Sequence, residues 1–176
     1  MALNRLKPLS NILDLGTVSG CLAITLAYHL SHAKLLASDL SEAALEVAKA
    51  NLERYQLANC QLLKSDLFSN LGQAKFDLIV TNPPYIAHRE ISQLAPEVRD
   101  YDPKIALDGG KKGLDYYHKI ADHARNYLYP NGQIICEIGI GQKTDIVAIF
   151  EAHNFHLQKI LRDLSGIERV LSFKIA

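Results

Sequence analysis

From Asn11 onward, short continuous apolar runs alternate with longer stretches whose apolar residues recur every three or four positions, the periods of buried strands and one-sided helices. Ile12-Leu13-Asp14-Leu15 is the first run, and a helical face at Leu22, Ala23, Leu26, Ala27 and Leu30 follows it. The unit then repeats. A second strand is expected over Lys34 to Ser38, with a helix capped by Ser41 whose face is Leu45, Ala48, Leu52 and Tyr55. Strand three falls near Cys60 to Lys64 and strand four at Phe76 to Val80. A polar connection to about Gly113 comes next, too long for a plain strand-to-helix loop, which marks it as functional. Leu114, Tyr117, Ile120, Ala121, Ala124 and Leu128 then predict a helix stopped by Pro130-Asn131-Gly132, leading into a strand over Gln133 to Ile138. After a helix near Thr144 to His153, the runs Phe155 to Leu161 and Arg169 to Ile175 are placed to pair antiparallel. Strands alternating with helices imply an α/β fold: a mostly parallel, doubly wound, Rossmann-like sheet with right-handed crossovers and an antiparallel final hairpin.

The chain has 176 residues, enough for one well-buried domain and short for two, so 1–176 is read as a single unit. Lys plus Arg equals Asp plus Glu at 19 each. With no net field to attract an anionic polymer, direct nucleic-acid binding is disfavoured. Cys21, Cys60 and Cys136 are far apart in sequence and lack paired spacing, which points to reduced thiols and a cytoplasmic protein. The seven histidines follow no metal-ligand spacing, so no metal is expected. No stretch has the apolar length of a membrane span, and Met1-Ala2-Leu3-Asn4-Arg5 has no signal-peptide core after it.

Four strand ends carry the candidate chemistry. Gly16-Thr17-Val18-Ser19-Gly20 joins the first strand to its helix, where a ligand can lie against bare backbone. Asp39 ends the second strand, 19 residues past Gly20, the spacing at which a carboxylate accepts from ribose hydroxyls; it also suits a helix-entry residue beside Ser41. Asp66 and Leu67 follow the third strand and suit an adenine ring, one as acceptor and the other as packing surface. The Gly-x-Gly-x-x-Gly and Gly-Lys-Ser/Thr patterns are absent, which disfavours NAD and ATP. S-adenosylmethionine fits better, because it needs a ribose acceptor and loop backbone but no pyrophosphate cradle. At the end of the fourth strand stands Asn82-Pro83-Pro84-Tyr85. Each proline fixes its own φ and removes a donor, and Pro83 pushes Asn82 out of the α region, so the Asn82 amide is held in one direction.

Together with Asp14-Leu15-Gly16-Thr17, Ser19-Gly20-Cys21, Ser65-Asp66-Leu67-Phe68, Tyr101-Asp102-Pro103, Ala106-Leu107-Asp108-Gly109-Gly110, Gly113-Leu114 and Glu168-Arg169-Val170, that stretch resembles the HemK/PrmC family of peptide chain release factor N5-glutamine methyltransferases. The resemblance runs from Asn11 nearly to the end. It implies the seven-stranded class I S-adenosylmethionine-dependent methyltransferase fold, and class 1 release factors as protein substrates, methylated on the glutamine of Gly-Gly-Gln. It assigns the cofactor to Gly16, Thr17, Val18, Ser19, Gly20, Asp39, Asp66, Leu67 and Asn82. The substrate glutamine falls to Asn82, Pro83, Pro84 and Tyr85, with Asn82, Pro83 and Tyr85 carrying the reaction.

Such a site has a clear physical task. An amide nitrogen shares its lone pair with its carbonyl, so its NH2 must be pointed at the methyl by two acceptors, here the Asn82 side-chain oxygen and the Pro83 carbonyl, while Tyr85 packs on the flat amide. Three departures from the family stand out: only about ten residues precede Ile12 where the family has a helical substrate-binding domain, Val18 occupies a position usually held by glycine, and Lys111-Lys112 precede Gly113. They leave as alternatives a methyltransferase for ribosomal-protein glutamine or nucleic-acid amino groups, or a truncated copy without turnover.

Overall fold

The structure is a computed structural model describing residues 10–176, so the reading of the first five residues lies outside it. Seven strands follow the order β3-β2-β1-β4-β5-β7-β6: β1 (Asn11–Leu15), β2 (Lys34–Asp39), β3 (Cys60–Lys64), β4 (Phe76–Thr81), β5 (Leu128–Glu137), β6 (Phe155–Arg162) and β7 (Glu168–Ile175). The first three pairings are parallel, and the last two strands form the expected antiparallel hairpin. Between the strands lie α1 (Cys21–His29), α2 (Glu42–Arg54), two single-turn helices α3 (Pro96–Arg99) and α4 (Lys104–Leu107), α5 (Asp115–Ala124) and α6 (Lys143–Ala152). The strand order reverses between β1 and β4, the switch point at which ligands bind in open α/β sheets.

Two compact units can be distinguished. The first holds residues 10–81, plus Ala124–Ile135 and Ile175. Its centre is Ile12, Ala27, Ala33, Leu35, Leu78 and Val80, all buried, flanked by Leu26, Leu30, Leu57, Cys60 and Ile135. Ile12, Leu35, Leu78 and Val80 come from the apolar runs, as expected of strands covered on both faces, while Ala27 lies on α1 and Ala33 in the turn that follows it. Register places the carboxyl end of β1 beside that of β4, with Leu15 opposite Thr81, and the Thr81 hydroxyl donates to the Leu15 carbonyl at 2.7 Å. Ser41 caps α2 by accepting from the Ala44 amide at 3.2 Å. The Asn59 side-chain amide is shared among the carbonyls of Ala27, Leu30 and Ala33, which satisfies the last turn of α1 and its exit loop.

The second unit comprises Asn82–His123 and Cys136–Lys174, with Ala176. Its core is aromatic: Phe150 stacks on Phe173 at 4.3 Å and meets Phe155 edge-on at 5.6 Å. The long polar connection holds a 3-10 segment, His88–Gln93, before the two short helices.

Two expectations need correction. The helix carrying Tyr117 ends at Ala124, tightens into a 3-10 turn over Arg125–Tyr127 and enters β5 at Leu128, so Pro130-Asn131-Gly132 lies inside a strand and not at a helix stop. Proline disfavours α geometry at Tyr129 and brings no amide of its own, so the helix unwinds earlier than the apolar spacing suggests. Leu128 is buried all the same. Leu22 and Tyr55, read as core-facing, are exposed, because one sits in the first turn of α1 and the other is the C-cap of α2. Among the described residues no helix is long and apolar enough to cross a membrane, and no group of three or more His, Cys, Asp or Glu side chains could hold a metal ion.

Candidate active site

In the first unit, the loop after β1 is organised by two carboxylates. Asp14, fully buried in the apolar strand, accepts from the Thr17 hydroxyl at 2.6 Å and from the Ala23 amide at 3.0 Å, both at Oδ2. Its other oxygen, Oδ1, is buried with no partner. Desolvation raises the Asp14 pKa from 3.8 to about 6, against the lowering effect of those two hydrogen bonds; the charge of Asp39 adds to the rise. Asp39 holds the loop from the next strand. Its Oδ2 accepts from the Val18 amide and its Oδ1 from the Ser41 amide, both at 2.8 Å. Backbone bonds from Gly16 and Thr17 to the Ser38 carbonyl, at 2.9 Å each, complete the attachment.

The loop turns by left-handed steps. Gly16 has φ +76°, Gly20 +82° and Val18 +51°. Gly20 brings α1 so close to α2 that a Cβ there would lie 3.2 Å from the Ala48 Cβ, whereas a Cβ on Gly16 would meet nothing within 4 Å. Valine in this region is a genuine outlier, costing about 1–2 kcal/mol; its side chain is 50% exposed. At the end of β3, the Ser65 amide donates to the Asp39 carbonyl at 2.9 Å, setting Asp66 and Leu67 beside Asp39. Leu67 also has a positive φ, +46°, while the Asp66 side chain faces solvent. A buried, unpartnered carboxylate oxygen, open space at Gly16 and a ribose-type acceptor on the next strand fit an amino-acid head group joined to a nucleoside.

The second unit holds Asn82-Pro83-Pro84-Tyr85. Asn82 is exposed, Pro83 buried, Pro84 and Tyr85 half-buried. Strand-like pairing continues past it: the Ile86 amide donates to the Leu107 carbonyl at 3.1 Å and the Gly109 amide to the Ile86 carbonyl at 2.9 Å. A Cβ on Gly109 would lie 2.7 Å from the Pro84 oxygen and 2.9 Å from the Tyr85 Cα, and one on Gly113 (φ +72°) would collide with the Tyr85 carbonyl. Those glycines are therefore required by close backbone approach. The Tyr85 hydroxyl reaches the Glu137 carboxylate at 3.3 Å, and Tyr117 donates to the Glu137 carbonyl at 2.7 Å. Burial, then the Glu137 charge, pushes the Tyr85 phenol above its usual range, so it stays a neutral donor.

Thus Gly16, Thr17, Val18, Ser19, Gly20, Asp39, Asp66 and Leu67 gather in one unit, and Asn82, Pro83, Pro84 and Tyr85 lie in the other. The sequence reading missed the part played by Asp14, although an acid inside an apolar run was the available signal. It also missed Glu137 and Gln142, which touch Tyr85 from segments more than 50 positions away and leave no local mark.

Because the native pKa of Asp14 exceeds its ordinary value of 3.8, ionising it opposes folding: the penalty is absent below about pH 4, grows up to about pH 6 and is complete above that. A rise from 3.8 to about 6 corresponds to about 3 kcal/mol. Asp14→Asn keeps an acceptor for Thr17 and Ala23 but does not titrate. Urea unfolding is expected to move in favour of the variant, relative to wild type, by up to about 3 kcal/mol between pH 4 and pH 7. A difference independent of pH would show that Asp14 titrates normally.

The chain is similar to several known proteins. A family model described as the methyltransferase small domain matches residues 2–98. The release factor glutamine methyltransferase of Geobacter sulfurreducens is 41% identical over 174 residues, covering 99% of this chain and 61% of that protein. A bifunctional methyltransferase of Rickettsia conorii is 44% identical over 164 residues, 93% of this chain and 31% of that protein. The chain thus spans about a third to three fifths of the length of these relatives. In fold it is similar to a Pyrococcus furiosus methyltransferase (TM-score 0.74, 20% identity, covering 98% of this chain and 78% of that one). The ribosomal protein L11 methylase of Lactobacillus delbrueckii is equally similar (TM-score 0.74, 21% identity, 99% and 74%). The architecture is that of class I methyltransferases, which implies S-adenosylmethionine as cofactor, and the chain belongs to the methyltransferase small domain family.

Proposed function

We propose that this chain methylates the side-chain amide nitrogen of glutamine in the Gly-Gly-Gln motif of class 1 peptide chain release factors. The observation that carries the reading is Asn82-Pro83-Pro84-Tyr85, an exposed amide on a backbone fixed by two prolines and packed against Gly109 and Gly113. Relatives named release factor glutamine methyltransferases support the substrate.

When bound, S-adenosylmethionine supplies an electrophilic methyl group. On this chain Asp39 would accept from its ribose hydroxyls, Asp66 and Leu67 would receive the adenine, and the loop Gly16 to Gly20 would lie along its amino-acid part. The unpartnered Asp14 oxygen would accept, directly or through water, from the ammonium group, returning part of the solvation that burial removes. The Asn82 side-chain oxygen and the Pro83 carbonyl would each accept one N–H of the substrate amide, turning its lone pair toward the methyl, and Tyr85 would cover its flat face. Positive charge accumulates on that nitrogen during transfer, so both hydrogen bonds strengthen in the transition state, and one N–H proton is then lost to solvent to leave the neutral N-methyl amide. Little else is required, since positioning of this kind contributes about 7–11 kcal/mol.

Labelled-methyl transfer to a release factor, to the same factor with Gly-Gly-Ala in place of Gly-Gly-Gln, to ribosomal protein and to DNA tests the reading. Label confined to the Gly-Gly-Gln protein is expected; label on DNA or ribosomal protein alone would replace it. Asn82→Ala is expected to lower turnover about 100- to 1,000-fold, the scale for losing one preorganised partner of developing charge, with an unchanged circular dichroism melt.

Val18→Gly tests the cofactor loop. The two methyl groups of valine stand where the family has a hydrogen, and overpacking of that kind costs about 1–3 kcal/mol, or about 5- to 150-fold in affinity. Titration calorimetry is expected to show tighter S-adenosylmethionine binding by the variant. Its melting temperature stays near wild type, because relief of a left-handed valine is offset by the extra freedom of glycine in the unfolded chain. Equal affinities would show that the loop accommodates Val18 without loss.

A further inference from the structure

We propose that Gln142 is a positioning residue for the glutamine-binding backbone, acting through the Tyr85 carbonyl; this rests on the reaction proposed above. Gln142 is the N-cap residue of α6, yet its side chain makes no capping bond to its own helix. It turns instead into the second unit. Its Oε1 accepts from the Gly139 amide at 2.9 Å, and its Nε2 donates to the carbonyls of Tyr85, at 2.9 Å, and Gly113, at 3.3 Å. One side chain thus joins the Asn-Pro-Pro-Tyr segment, the glycine loop ahead of α5 and the turn after β5.

The chemistry of the three partners explains the residue type. Two carbonyls and one N–H converge, so the side chain between them must present two donors and one acceptor, which is a primary amide. Glutamate offers no donor, lysine and arginine no acceptor, and asparagine is one methylene short. The partners also fix which end of the amide is oxygen, because only oxygen can receive the Gly139 amide. Space is tailored to it as well. A Cβ on Gly139 would lie 2.7 Å from Oε1 and 3.1 Å from the Tyr85 ring, and one on Gly113 would lie 2.6 Å from Nε2.

Tyr85 is where such a tie has most effect. Pro83 and Pro84 have no N–H, so hydrogen bonding can hold this stretch only through its carbonyls and through the residues on either side. Fixing the Tyr85 carbonyl orients the following peptide plane, from which the Ile86 amide pairs with Leu107, and limits movement of the Pro83 carbonyl two residues earlier. A misplacement of about 1 Å in a positioning group can cost on the order of 100-fold in rate.

The test compares Gln142→Met, which keeps shape but loses the donors, with Gln142→Glu, which keeps the acceptor for Gly139. Both are expected to lower kcat about 10- to 100-fold on the Gly-Gly-Gln protein, with KM for S-adenosylmethionine within about twofold of wild type. Hydrogen exchange supplies a readout that needs no substrate: the Ile86 and Gly109 amides should exchange about 10-fold faster in Gln142→Met, with β1 amides unchanged. Wild-type kcat in Gln142→Glu would overturn the proposal, since the Gly139 contact would then suffice. So would unchanged exchange at Ile86 and Gly109. If the wild-type chain methylates no glutamine, the proposed reaction fails, and the exchange rates alone decide whether Gln142 holds the Tyr85 backbone.

Discussion

A backbone stretch with two consecutive prolines cannot be held as a strand is held, because it has lost the amides that a ladder would use. The arrangement of the second unit answers that constraint. Fixation comes from close packing at Gly109 and Gly113, from pairing that resumes at Ile86, and from a side-chain amide on the Tyr85 carbonyl. Each support leaves the Asn82 side chain exposed. The prolines thus exchange hydrogen bonds for rigidity, and the surrounding segments restore the attachment without covering the polar end.

The first unit solves a different problem by different means. Its loop is tied by two carboxylates, one buried with an oxygen unsatisfied and the other shared between the Val18 and Ser41 amides. Leaving a buried acceptor unmade costs about 1–3 kcal/mol, and the raised pKa of Asp14 expresses the same cost as a preference for the proton. A cation arriving at Oδ1 reverses that preference. The free protein is therefore less stable than its fold allows at the point where a positively charged head group would be received.

Much of this was legible in the chain itself. All seven strands were expected from the sequence, the central ones because strands covered on both faces must be apolar throughout, although β5 begins at Leu128 and not at Gln133, and the glycine loop, Asp39 and Asn82 were noticed because they stand at strand ends. Leu128 shows the limit: its spacing suits the helical face, but Pro130 ends the helix early, and burial alone does not separate a helix from a strand. Gln142 and Glu137 were invisible for another reason. Their partner is Tyr85, and a contact across so many intervening residues has no periodicity, spacing or composition to betray it. Asp39 was ambiguous between helix entry and ligand acceptor, and the structure gives it the first role toward Ser41 while leaving lone pairs for the second.

Glycine at similar φ does different work in the two units. Gly16 and Gly113 have φ of +76° and +72°, so the conformational cost of a side chain would be alike at both, on the order of 1–2 kcal/mol. At Gly16 nothing lies within 4 Å of the position a Cβ would take, and Val18 shows that this loop already bears one left-handed β-branched residue. At Gly113 the obstruction is the Tyr85 carbonyl, which is backbone, and behind it the amide of Gln142. Backbone held on several sides cannot yield a few tenths of an ångström as a side-chain tip can. In the free protein Gly16 can therefore be replaced at a modest conformational cost, whereas Gly20 in the same loop is held by its approach to Ala48. The segment that presents Asn82 allows no such replacement, because a change at Gly113 displaces the carbonyl by which that segment is anchored.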